Sequence, residues 1–179
     1  MLYLEEKTTG YLGIDESNHG RDPEIFVAVF SIREIDIIKS DNKISKIRNG
    51  KKGIQEILKE RIFHYSQISK NDVKNLTNNQ IKEIVFYHLI KSFSNEYNLN
   101  KVIIDGELGS TSQRTISDKL GLEILVEPKA DQYFHIVNLA DQVANNLYRN
   151  HATNSDYNLE QYKSSYVDIP RHAFNDFIR

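Results

Sequence analysis

The sequence predicts one α/β domain over residues 1–179, with a mixed sheet that begins as an antiparallel hairpin, continues as parallel βαβ strands and is flanked by helices. Three observations carry this. Two apolar segments near the start are separated by a turn-rich stretch. Two later apolar runs lack polar alternation, the pattern of strands covered on both faces. Between and after these runs lie segments with helical spacing.

Taken in order, Gly10–Asp15 and Ile25–Ile32 read as strands, and Asn18-His19-Gly20-Arg21-Asp22-Pro23 reads as the turn between them. Arg61–Ser66 is a third short strand. A helix is expected from Asn78 or Asn79, because Ile81, Ile84, Val85, His88, Leu89 and Phe93 fall on one face. Lys101-Val102-Ile103-Ile104-Asp105-Gly106 is a buried strand ending in an acid and a glycine. Ser112–Lys119 is a short helix, and Leu122–Val126 a further strand closed by Glu127-Pro128. A second amphipathic helix carries Phe134, Val137, Leu139, Ala140, Val143, Ala144 and Leu147. From Tyr157 onward two short helical pieces are expected around Pro170. Right-handed crossovers would place the parallel strands beside the first one.

Composition narrows the function classes. The chain is 39% hydrophobic and 27% charged, with a formal net charge of −2 and a mean hydropathy of −0.54. No apolar stretch approaches the roughly 20 residues that span a bilayer, so no membrane partner is expected. The start, Met1-Leu2-Tyr3-Leu4-Glu5-Glu6, lacks the pattern of a secretory leader, and a cytoplasmic location is expected. The absence of cysteine removes disulfides, thiolate metal sites and cysteine nucleophiles. No overall basic excess marks the chain as a polyanion binder. Lys39, Lys43, Lys46, Arg48, Lys51 and Lys52 form one basic stretch, either a solvated loop or a phosphate-contacting arm.

The chemistry lies in the acids. Asp15-Glu16, Asp105 and Glu127/Asp131 stand at the carboxyl ends of strands or just past them, the edge where open α/β sheets bind ligands. Carboxylates crowded there repel one another unless a cation lies between them. Hard oxygen donors favour Mg2+ or Mn2+, and no His pair at zinc spacing accompanies them. Glu16 follows Asp15 directly, so it reaches the same place only if the chain has begun to turn there, as the turn residues Asn18-His19-Gly20 suggest. Two carboxylate-bound ions about 3.5–4 Å apart suit phosphodiester hydrolysis.

With those residues in view, the chain resembles the type 2 ribonucleases H (ribonuclease HII). That family opens with Gly-Ile-Asp-Glu-Ala-Gly-Arg-Gly, here Gly13-Ile14-Asp15-Glu16-Ser17-Asn18-His19-Gly20. Its Val-Asp-Gly corresponds to Ile104-Asp105-Gly106, and its Lys-Ala-Asp to Lys129-Ala130-Asp131. The resemblance implies a ribonuclease-H-like fold and a metal-dependent endonuclease acting on RNA, RNA–DNA hybrid or structured DNA. It also implies Asp15, Glu16, Asp105 and Asp131 as catalytic metal ligands. Asn18, His19 and Gly20 would contact substrate where the family has Gly-Arg-Gly, and Tyr166 would match its substrate-contacting tyrosine. The departure from Gly-Arg-Gly bears on how a 2′-hydroxyl would be read.

A second departure is Asp141, in an Ala-Asp dipeptide similar to that of ribonuclease-H-like proteins that begin Asp-Glu-Ser. If one helix ran from Asp131, Asp141 would lie roughly 15 Å along its axis and could not share an ion with it. If Asp131 lay in a loop ahead of the helix, Asp141 could join or replace it in the metal site. A buried Asp satisfied by backbone is the alternative. His19 could assist proton transfer, and His135 stands one helical turn after Asp131. Tyr133, Phe134, Tyr148 and Tyr166 could stack on bases or pack in the core. The competing functional reading is a non-catalytic nucleic-acid or protein-interaction module that keeps the fold.

Overall fold

A computed structural model describes residues 6–17, 22–45, 53–153 and 160–176. Its sheet has five strands in the order β3-β2-β1-β4-β5. These are β1 (Thr9–Ser17), β2 (Glu24–Ser31), β3 (Ile62–Ile68), β4 (Asn98–Asp105) and β5 (Ile124–Glu127). The helices described include α1 (Ile54–Leu58), α2 (Asn78–Ser94), α3 (Ser110–Leu120), α4 (His135–Thr153) and α5 (Arg171–Asn175). β1–β2 and β2–β3 are antiparallel, whereas β1–β4 and β4–β5 are parallel. The expected mixed sheet is therefore present, with β4 and β5 added in turn beyond β1.

Two apolar layers sandwich the sheet, and strand alternation decides which residue enters which. Leu12 and Ile14 of β1 and Ile104 of β4 pack with Val85, Phe86, Leu89 and Phe93 of α2. Val27, Val29 and Ile103 point the other way, against Val137, Ala140, Val143 and Ala144 of α4. Burial on both faces explains the unbroken apolar runs. A capping box starts α2: the Thr77 side chain accepts from the Gln80 N–H while the Gln80 side chain accepts from the Thr77 N–H. The buried face of α2 is wider than the expected stripe, since Phe86 and Ile90 are enclosed as well.

The differences from the expected elements have local causes. β1 runs two residues past Asp15, because Glu16 and Ser17 still pair with Phe26 and Ile25. β3 extends to Ile68, held by its pairing with β2 out to Glu24. The basic stretch lies partly outside the described residues, which resume just before α1. Lys163–Ser165 forms a 3-10 turn and α5 follows Pro170, while residues 157–159 of the expected C-terminal pieces are outside the described residues. Among the described residues no helix is long and apolar enough to cross a membrane.

Gly13 sets the distance between β1 and α4. A Cβ there would lie 2.7 Å from the Ile136 carbonyl carbon and 2.9 Å from its oxygen, and backbone cannot yield as a side chain can. Gly13→Ala is therefore expected to lower unfolding free energy by about 1–3 kcal/mol, measured by urea denaturation. A change below about 0.5 kcal/mol would contradict the close approach.

Candidate metal centre

Asp15, Asp131 and Asp141 each offer a carboxylate oxygen, and these oxygens lie within 4.8 Å of one another. All three residues are buried, at 4%, 7% and 9% exposure. They reach this point by separate routes. Asp15 projects from β1 toward the α4 face of the sheet, the face Val27 shares. Asp141 stands on α4, which crosses β1 at Gly13. Asp131 belongs to a 3-10 turn, Ala130–Gln132, that precedes α4.

That turn decides between the two alternatives for Asp131 and Asp141. Tyr133 (φ −129, ψ −19) interrupts the chain after it, and α4 begins only at His135. Asp131 is thus off the helix, and the ten-position separation no longer measures a distance along one axis. Asn138, 1% exposed, ties the turn back: its Nδ2 donates to the Asp131 carbonyl at 2.9 Å, and its Oδ1 accepts from Gln142 Nε2 at 2.6 Å. Two turns further along α4, Asn145 Nδ2 donates to Asp141 Oδ1 at 2.8 Å. From α4, Asn138 therefore holds Asp131 and Asn145 holds Asp141.

Asp105 sits beside the cluster. Ile14 pairs with Ile104, so Asp15 and Asp105 stand at the same level on adjacent strands. Asp105 Oδ1 accepts from the Asp131 N–H at 3.4 Å. Burial pushes the Asp15 carboxyl well above its ordinary value, and the charges of Asp105, Asp141 and Asp131 add to this against a hydrogen bond from the Glu16 N–H. Asp105 is raised too, first by burial and then by Asp131.

Glu16 is placed elsewhere. The expected early turn does not occur, so Glu16 projects to the opposite, α2 face, where its Oε1 lies 2.7 Å from Lys82 Nζ. Glu127, the other acid considered at the end of β5, receives a hydrogen bond from Lys39. Tyr166 forms a bridge with Tyr65 at the far edge of β3 and packs on its ring at 5.3 Å between centroids. Asn18, His19 and Gly20 lie outside the described residues. His135 faces Asp36 and Arg61 at the start of α4. Sequence reasoning missed Lys82, Asn138 and Asn145; Asn138 was detectable as a polar residue within the apolar stripe of α4.

The donor set fits a hard divalent ion. An ion about 2.1–2.4 Å from each ligand requires oxygens no more than about 4.8 Å apart, and carboxylates are the usual donors for Mg2+ and Ca2+. Buried carboxylates whose charges oppose one another gain most from a cation between them.

This layered sheet with acids at its carboxyl edge defines a ribonuclease-H-like α/β fold. Among solved structures, the chain is similar to ribonuclease HII from Archaeoglobus fulgidus, determined in complex with PCNA. The TM-score is 0.64 and the identity 19%, covering 90% of this chain and 82% of that one. It is also similar to ribonuclease H2 from Pyrococcus horikoshii, with TM-score 0.58 and 15% identity over 91% of this chain and 83% of that one. At these identities the likeness establishes a ribonuclease HII-like fold. No family model and no curated protein matches the chain.

Two measurements check the centre. A folded-state carboxyl raised above its unfolded value favours folding at low pH, and this contribution is lost as pH rises through the raised value. In thermal melts, the metal-free protein should therefore lose stability from Asp15 as pH rises through its raised value, and Asp15→Asn should remove that loss. In the same thermal melts, Mn2+ should raise Tm of the wild type at pH 7 but not of Asp15→Asn. Equal Mn2+ shifts in both proteins would contradict the assignment. Asn145→Ala should weaken Mn2+ binding by about 10–100-fold in calorimetry, the usual effect of removing a partner that orients a ligand.

Proposed function

We propose that this chain is a metal-dependent nuclease, an endonuclease hydrolysing phosphodiester bonds in RNA or RNA–DNA hybrid with Mg2+ or Mn2+. The observation that carries the reading is the convergence of Asp15, Asp131 and Asp141 at one point on the carboxyl edge of a ribonuclease HII-like sheet. Bound divalent ions supply an activated water and stabilise the leaving oxygen of a phosphodiester.

The chain's own residues have separable tasks. Asp15, Asp131 and Asp141 hold the metal, and Asp105 supports it from the neighbouring strand while accepting from the Asp131 N–H. Glu16, paired with Lys82, acts from the other face of the sheet edge, and it stays within the metal set only if that pair opens. Asn18, His19 and Gly20, which follow β1 in sequence, are assigned to contact the ribose from the family resemblance. With Asn18-His19 in place of Gly-Arg, we assign cleavage within hybrid or RNA rather than at a single ribonucleotide junction. Tyr166, bridged to Tyr65, offers an aromatic face to a flanking nucleotide. A cysteine-free chain suits a reducing cytoplasm.

The second reading, a binding module without turnover, is favoured by the Glu16–Lys82 pair, which takes one of the family's acids away from the cluster.

The test is a substrate panel: RNA–DNA hybrid, single-ribonucleotide duplex, single-stranded RNA, single-stranded DNA and branched DNA, each with Mg2+ or Mn2+. Wild type is expected to cleave hybrid or RNA. Asp141→Asn and Asp105→Asn should each lower kcat by about 1,000-fold or more with an unchanged circular-dichroism spectrum. Retained cleavage in Asp141→Asn would overturn the nuclease assignment of this cluster. Binding without cleavage across the panel would select the second reading.

A further inference from the structure

A cavity of about 350 Å3 lies at the start of α4. Arg33, Lys59, Arg61 and His135 line it, together with Asn138 and Gln142. Its charges are unevenly matched. Arg61 is consumed by Asp36: Nε donates to Oδ2 at 2.7 Å and Nη2 to Oδ1 at 2.9 Å, while Nη1 donates to the Leu58 carbonyl at 3.0 Å. Asp36 also accepts from the Ser31 hydroxyl at 2.5 Å, so both of its carboxylate oxygens are engaged. Arg33 and Lys59 have no ion pair among the described residues, and Glu56, exposed, is the other acid at the rim. Burial holds the His135 imidazole below its ordinary pKa; Asp36 opposes this, and Arg61, Arg33 and Lys59 reinforce it. Cations gathered around one concavity repel one another as carboxylates do, and an anion between them relieves it.

We propose that this cavity binds a phosphate group, held by Arg33 and Lys59 at the rim and by the Gln142 side-chain amide at the floor, which passes occupancy on to the amide of Asn138. Each of those amides carries two N–H donors, and in each one is already directed within the structure, Asn138 to the Asp131 carbonyl and Gln142 to Asn138. The remaining N–H of the half-buried Gln142 is the donor a phosphate oxygen would use, since Asn138 is 1% exposed. Occupancy therefore acts on the same side chain that holds Asp131 in the metal centre. The cavity thus couples anion binding to the metal site through one residue. The site goes beyond the nuclease reading and stands whether or not the protein cleaves nucleic acid.

The phosphate could come from a free anion or nucleotide, or from a polynucleotide backbone, and the experiment separates them. Inorganic phosphate is titrated into metal-free protein while the Asn138 and Gln142 side-chain amides are followed by NMR. A saturable shift of these amides with Kd of about 1 mM or tighter is expected. Arg33→Ala/Lys59→Ala should weaken it by about tenfold or more, whereas Lys74→Ala/Lys119→Ala, which removes the same charge elsewhere, should leave it unchanged. If a short oligonucleotide moves the same amides at about tenfold lower concentration, the phosphate is a backbone phosphate; if not, it is a free one. Absence of a saturable shift up to about 20 mM, or equal weakening in both double variants, would overturn the proposal.

Discussion

Like charges held together inside a protein dominate this molecule. Two carboxylates about 4 Å apart repel by on the order of 4 kcal/mol at an effective dielectric near 20, and Asp15, Asp131 and Asp141 meet at that scale. Such a sum is comparable with the whole stability of a domain, about 5–15 kcal/mol. A fully ionised, metal-free cluster is thus a heavy burden, and either a proton or a cation must relieve it. The raised Asp15 carboxyl is the proton's share of that relief in the absence of metal. A divalent ion provides the same relief at neutral pH and brings chemistry with it.

The rest of the architecture serves to keep the three side chains in place. β1 is buried on both faces and paired on both edges, so Asp15 has little freedom to retreat. Gly13 lets α4 lie directly on β1, and Asp141 rides on that helix. The break at Tyr133 and the Asn138 amide turn Asp131 back toward Asp141. Strand parity separates the two acids that adjoin in sequence: Asp15 faces α4, and Glu16 faces α2 and Lys82. The sheet edge thus carries a carboxylate cluster on one face and an ion pair on the other.

Much of this was legible from residue order alone. Apolar runs ending in acids identified β1 and β4, because strands covered on both faces admit few polar residues until they emerge. The α2 start near Asn78 followed from its apolar period, while its cap, Thr77, was not singled out. The choice between Asp131 and Asp141 was not legible, because it rests on a 3-10 turn and one backbone break that leave no periodic trace. Glu16 was misplaced because Asn18-His19-Gly20 suggested an early turn, whereas pairing with Phe26 and Ile25 carries the strand to Ser17. Lys82 looked like any solvated helix residue, since nothing local shows that α2 faces Glu16. Asn145 was visible only as a residue four positions after Asp141, a spacing common to many helical polar pairs.

The most direct test is the anomalous difference map of a crystal soaked in Mn2+. The account predicts a peak about 2.1–2.4 Å from oxygens of Asp15, Asp131 and Asp141. A map in which Asp141 turns away and the ion is held without it, or in which no ion binds between these side chains, would contradict it.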